Sequence, residues 1–216
     1  THKDLFPLNT KVNFYNKKFS CMIAWNKVYK KKSNMNVKKK LIKWFEKKYP
    51  KSFDLYGPNW DEKAFSYQNP VTKYLNERFF KSFRKILGTN YNSWKGQVKT
   101  ENKKIILNKY KFNFVIENSS DYNGYMTDKI FEAFFSGSIP IYLGPNNIDK
   151  YIPSNCFINF KKFNNLEELY IFLSSINEND YDVYQTNIKN YLDSNESKFF
   201  SKDQLSKNLF RVLDLY

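Results

Sequence analysis

The segment from Glu117 to Lys129, ENSSDYNGYMTDK, gathers amides, hydroxyls, carboxylates and an ammonium group in one short stretch. KFNFVI at 111–116 precedes it and IFEAFF at 130–135 follows it. It therefore joins a buried strand to an amphipathic helix. The start of a helix offers unpaired N–H groups and the positive end of a dipole, a setting that holds a diphosphate. Lys129 adds a full charge there, Tyr125 can stack or hydrogen-bond, and Asp128 can take ribose or sugar hydroxyls. An ordinary capped helix is the competing reading, with Thr127 or Asp128 serving only as the cap.

Other reactive patterns are sparse. Asp180-Tyr181-Asp182 is a D-x-D triplet, a spacing that can hold a metal ion, but no buried strand precedes it to support a ligand shell. His2 is the one histidine and lies in a terminus expected to fray, which leaves little for a histidine base or a His-based zinc site. No C-x-x-C occurs. Cys21 and Cys156 sit in apolar runs and read as small buried hydrophobes of a reducing compartment. VKKKLIKWFEKK, at 37–48, can be a membrane-surface or nucleic-acid helix, or a core-packed helix with a solvated lysine face; the second pattern fits better.

Elements that can position these groups alternate. Strands are expected at 19–25, 53–56, 111–116, 139–143 and 156–158. Loops are expected at 26–36, 90–99 and 117–125. Helices are expected at 37–48, 71–87, 101–109 and 126–135, then from Leu166 to the end, including 204–215. Strand–helix alternation predicts an α/β fold with a doubly wound, Rossmann-like parallel sheet. Ligands of such sheets sit beyond the carboxyl ends of the strands, so the loops after residues 25, 116 and 143 share one rim.

Composition is consistent with that fold. The 216 residues are 41% hydrophobic and 19% aromatic, far from a disordered composition. A net charge of +15 favours anionic partners, yet it comes mostly from scattered lysines rather than one stripe, so nucleic acid is not expected as a partner. No apolar run approaches the ~20 residues that span a bilayer. THKDLFPLNTKV has no apolar core of a signal peptide.

KFNFVIENSSDYNGYMTDKIFEAFFSGSIPIYLG, residues 111–144, resembles the signature of glycosyltransferase family 10, the α-1,3/4-fucosyltransferases. That signature runs as an aromatic strand, E-N-S, a polar loop, Y-x-T-E-K, a helix and a (V/I)-P-(V/I)-x-x-G strand. KFSCMIAWNK, WFEKKYPKSFDLYGPNW, the Lys95-Gly96 loop and YIPSNCFIN look like further family segments in the same order, so the resemblance covers roughly residues 18–160.

The resemblance implies the C-terminal, donor-binding half of a GT-B enzyme, with residues 1–17 an extension or linker and 18–216 the GDP-fucose-binding domain. It implies inverting transfer of fucose from GDP-fucose to a glycan hydroxyl. Asn118, Tyr125, Asp128 (a Glu in the family), Lys129 and a first-helix cation near Lys38 (an Arg in the family, with Lys39 and Lys40 as neighbouring choices) would hold the donor. Asp128 would support the sugar or the transition state.

No metal cofactor is then expected, because protein cations can take the leaving group's charge. The partners implied are an oligosaccharide or glycoconjugate acceptor and an N-terminal acceptor domain carrying the general base. A base within this chain would fall on Glu117 or Asp121. A peripheral membrane contact stays open. The expected location is cytoplasmic or peripheral at the membrane in a bacterium or virus, and Golgi in a eukaryote. The alternatives are another nucleotide sugar on the same fold, or a non-catalytic basic module that binds nucleotides or nucleic acid.

Overall fold

A computed structural model describes residues 12–26, 33–61 and 91–200. The helices expected at 71–87 and 204–215 lie outside them. Five parallel strands form one sheet: β1 (Lys18–Ile23), β2 (Phe53–Tyr56), β3 (Tyr110–Ile116), β4 (Ile139–Leu143) and β5 (Ile158–Asn159), in the order β2-β1-β3-β4-β5. Five helices are described: α1 (Met35–Lys48), α2 (Lys103–Leu107), α3 (Lys129–Phe135), α4 (Leu166–Ser175) and α5 (Glu178–Asp193). The doubly wound α/β fold is thus observed.

The central strands β3 and β4 are buried along almost their whole length, YKFNFVI and IPIYL, as parallel strands covered on both faces must be. One face packs Leu41, Ile42 and Phe45 of α1 and Leu169 and Leu173 of α4 against Phe112, Phe114 and Ile141. The other packs Ile130 and Phe134 of α3 and Ile188 and Tyr191 of α5 against Val115 and Tyr142.

Several boundaries differ from the sequence expectation. β1 runs over 18–23, not 19–25, because its ladder with β2 stops at Ile23–Tyr56. α1 begins at Met35, inside the expected loop, because Ser33 Oγ accepts from Met35 N–H and so starts the helix early. α2 is confined to 103–107, with a 3-10 turn at Thr100–Asn102 before it. β5 is shifted to 158–159, where it pairs with Ile141 and Tyr142. α3 begins at Lys129 rather than residue 126, since Thr127 N–H and Oγ are bonded to Glu117 and do not enter the helix.

The D-x-D triplet starts α5. Asp180 forms a capping box with Asn177, and Tyr181 is buried with its hydroxyl donating to Gly137 O. No group of three metal-ligating side chains occurs among the described residues. Cys21 and Cys156 are both buried and free, as expected. No described helix is long and apolar enough to cross a membrane.

Candidate functional site

The chain runs from β1 outward to β2, then returns to place β3 on the other side of β1. That reversal makes the space beyond the carboxyl ends of β1 and β3 the usual ligand position of a doubly wound sheet. The segment entering α1 and the loop after β3 line it, and three bonds join them. Asn34 N–H donates to Asn118 O (3.0 Å), and Asn34 Nδ2 donates to Glu117 O (3.0 Å) and Ser120 Oγ (2.9 Å). Asn34 occupies the N-cap position of α1, yet its side chain caps nothing there, because it is committed to this loop.

Lys38 lies one turn into α1 and is buried, although a lysine is rarely tolerated there without a partner. Its Nζ donates to Asn118 Oδ1 at 3.2 Å. Burial, and then the charge of Lys129, pull its ammonium down to about 8, against the opposing pull of Glu117. Lys39 and Lys40, the neighbouring choices for this cation, are half-buried and exposed respectively, and no bond ties either to the loop. Of the three, Lys38 is the one bonded to the loop.

Glu117 is fully buried and anchors the other side. Its N–H extends the ladder to Leu143 O (2.8 Å). Its carboxylate accepts from Thr127 N–H (2.9 Å), Thr127 Oγ (3.0 Å to each oxygen) and Lys129 Nζ (3.2 Å). These bonds close the intervening loop on itself. A carboxylate with no solvent access and three donors cannot reach an acceptor hydroxyl, so Glu117 is an anchor and not the base entertained for it. Asp121 is exposed on the loop.

Gly124 N–H donates to Asn147 Oδ1 (3.0 Å), and Tyr125 N–H closes a turn onto Tyr122 O (3.1 Å). The Tyr122 and Tyr125 rings are left exposed, and Asp128 is exposed too, with no side-chain cap to α3. The capping reading of Thr127 and Asp128 therefore fails, since one faces Glu117 and the other faces solvent. α3 has only seven residues, so the anion-attracting charge of the site rests on Lys38 and Lys129 more than on a helix dipole.

Of the residues singled out in the sequence, the structure brings Lys38, Asn118 and Lys129 into one cluster around Glu117. It sets Tyr125 and Asp128 on the exposed side of the same loop. Sequence reading missed Asn34 and the anchoring role of Glu117. A Ser-Asn pair just before the apolar periodicity of α1 was the available signal for Asn34. Glu117 directly after a buried strand was the signal for a buried carboxylate.

An alpha-(1,3)-fucosyltransferase FucT of Helicobacter pylori is 37% identical over 115 residues, 52% of this chain and 22% of that protein. The mouse 4-galactosyl-N-acetylglucosaminide 3-alpha-L-fucosyltransferase 9 is 39% identical over 72 residues, 32% of this chain and 20% of that protein. The chain thus spans about a fifth of the length of these curated relatives. A crystal structure of an alpha1,3-fucosyltransferase with GDP-fucose superposes with a TM-score of 0.51 at 20% identity, over 83% of this chain and 48% of that one, which shows a shared fold. The family profile described as Glycosyltransferase family 10 (fucosyltransferase) C-term matches residues 15–207, and the chain belongs to that family.

Proposed function

We propose that this chain is the donor-binding part of an inverting fucosyltransferase that transfers L-fucose from GDP-fucose to a glycan hydroxyl in α-1,3 linkage. The observation that carries the reading is the buried Lys38 ammonium, set on Asn118 beside Lys129 and Glu117 at the reversal point of the sheet. Glu117 pairs with Lys129 alone, and Lys38 is held by a neutral amide, leaving an uncompensated positive charge that a diphosphate would neutralise. The relatives' fucosyltransferase names and the GDP-fucose complex of a fold neighbour support GDP-fucose over another nucleotide sugar.

In this reading Lys38 and Lys129 hold the diphosphate and take the charge that grows as it leaves, so no metal ion is required. Asn118, kept in place by Asn34 and Lys38, faces the donor. Tyr125 and Asp128, exposed on the loop, meet the nucleoside or sugar, and Asp128 steadies the cationic ring. Asp128 is one methylene shorter than the family's glutamate, which draws its carboxylate back from the ring and makes its positioning sensitive. The acceptor site and the general base are supplied from outside the described residues, by an N-terminal acceptor domain.

The test is a transfer assay with GDP-fucose and N-acetyllactosamine, run on this chain and on a version extended upstream, with the product linkage and anomer read by NMR. The extended protein is expected to make the inverted, α-1,3-linked product, and the short chain essentially none. Robust transfer by the short chain would refute the placement of the base, and Asp121 would be the first residue to replace.

A further inference from the structure

Tyr142 buries a hydroxyl that its packing does not require. The ring lies on β4 against Phe157, 5.8 Å between centroids, and among Val115, Ile130 and Phe134. A phenylalanine would fill that place equally well. The residue is only 1% exposed, and its hydroxyl has no hydrogen-bond partner among the described residues. Buried tyrosine hydroxyls ordinarily find a partner, because one left without loses its hydration for nothing.

The direction of the phenol narrows its use. Val115 pairs with Tyr142 and Ile116 with Leu143, and the next step of the ladder, Glu117 N–H to Leu143 O, sets Glu117 beside Gly144. Alternation along β3 puts Glu117 on the same face of the sheet as Val115 and Tyr142. The phenol leans along its own strand toward Gly144, where its oxygen and outer ring carbons fill the space that a Cβ would take. The hydroxyl therefore ends at the level of Glu117, on the side from which Thr127 and Lys129 approach it. Burial, and then the Glu117 charge, push the phenol above the ordinary tyrosine range, so it keeps its proton and stays a donor.

The donors that Glu117 already has are not equally fixed. Thr127 N–H and Oγ belong to the loop itself, whereas the Lys129 side chain is 30% exposed, on a flexible stem, and reaches the carboxylate at 3.2 Å. In the donor reading above, on which this inference rests, the diphosphate competes for that ammonium. A fully buried carboxylate that gives up its cation needs another donor. We infer that Tyr142 is a positioning residue of the donor site, its hydroxyl held in reserve for Glu117 and taking up the carboxylate when Lys129 turns to the phosphates. Glu117 then has three donors with and without ligand, and goes on anchoring the loop in both states. The hydroxyl destabilises the empty protein, and its bond to Glu117 offsets that cost once the ligand is bound.

The test is a double-mutant cycle of Tyr142→Phe and Lys129→Ala in the full chain, read by thermal melting and by calorimetry with GDP. In the wild-type background, Tyr142→Phe should leave the melting temperature unchanged or raise it, yet lower GDP affinity by about fivefold to tenfold. With Lys129 removed, the hydroxyl serves Glu117 whether or not GDP is bound. There Tyr142→Phe should lower the melting temperature by about 2–4 °C and leave the GDP affinity unchanged. Lys129→Met, which keeps the aliphatic stem, takes the place of Lys129→Ala if the alanine variant does not fold. A hydroxyl that matters only for packing would shift the melting temperature equally in the two backgrounds, and that result would overturn the inference. So would a Tyr142→Phe protein that binds GDP as tightly as the wild type does. The melting arm needs no ligand. A wild-type chain that fails to bind GDP would therefore refute the donor reading, while the melting cycle still decides whether Tyr142 serves Glu117.

Discussion

Lys129 pairs with the buried Glu117 carboxylate while Lys38 rests on the Asn118 amide, and their energetic roles differ in sign. Lys38 is a cost to the empty fold. Its ammonium titrates near 8 when folded and near 10.5 when unfolded, so between those values the folded state binds fewer protons. The Lys38 contribution to stability therefore rises with pH across that window, and its penalty is complete below 8. Lys38→Met should raise stability at neutral pH, by about 3 kcal/mol at most, in urea melts. The same change should weaken GDP binding by at least about tenfold. A variant that melts earlier would show that Lys38 is not a strained charge.

Lys129 is the opposite case, because it satisfies Glu117. Lys129→Ala should weaken GDP binding by about 1.5–3 kcal/mol and also lower the melting temperature, since Glu117 keeps only the Thr127 donors. Affinity that survives intact while Lys150→Ala reduces it would move the site elsewhere. GDP should also bind less well as pH rises above about 8, with a proton taken up on binding. Calorimetry in two buffers of different ionisation heat reads that proton directly, and no buffer dependence above pH 8 would remove Lys38 from the site.

The elements divide by how locally they are determined. β3 and β4 were legible because their apolar runs are continuous, and α1 because its apolar residues recur on one face. The same spacing puts Lys38, three before Leu41 and four before Ile42, on the buried stripe, but its partner Asn118 lies eighty positions later, where no local pattern points. The same holds for Asn34, whose partners lie on a loop that only the sheet order brings near. Asn34→Ala should loosen that loop and weaken GDP binding by roughly tenfold, with a small change in melting temperature. Unchanged affinity would mean that the loop holds its shape without this clamp.

Gly144 shows how a motif position acquires a physical reason. A Cβ there would overlap the Tyr142 hydroxyl, which is buried at the end of β4 on the Glu117 side of the sheet. Gly144→Ala should push the Tyr142 ring into the α3 layer and cost about 1–3 kcal/mol, read as a lower melting temperature. A neutral outcome would mean that the ring has room to move.

At the scale of the whole molecule, the proposed donor site lies where the strand order of the sheet reverses. Two cations and a loop pinned from both ends lie at that reversal, where the donor site is proposed. No comparable arrangement for an acceptor and a base appears among the described residues, and Glu117 is already committed. In the proposed reading the chain should bind its donor by itself and need a partner domain for transfer, because proximity and base catalysis carry most of the rate. The measurement that tests this most directly is a calorimetric titration of the isolated chain with GDP and with UDP, each with and without EDTA. GDP is expected to bind more tightly than UDP, with EDTA making no difference. A folded sample that gives no heat with GDP at about millimolar concentration would contradict the account. So would GDP binding that EDTA abolishes and manganese restores.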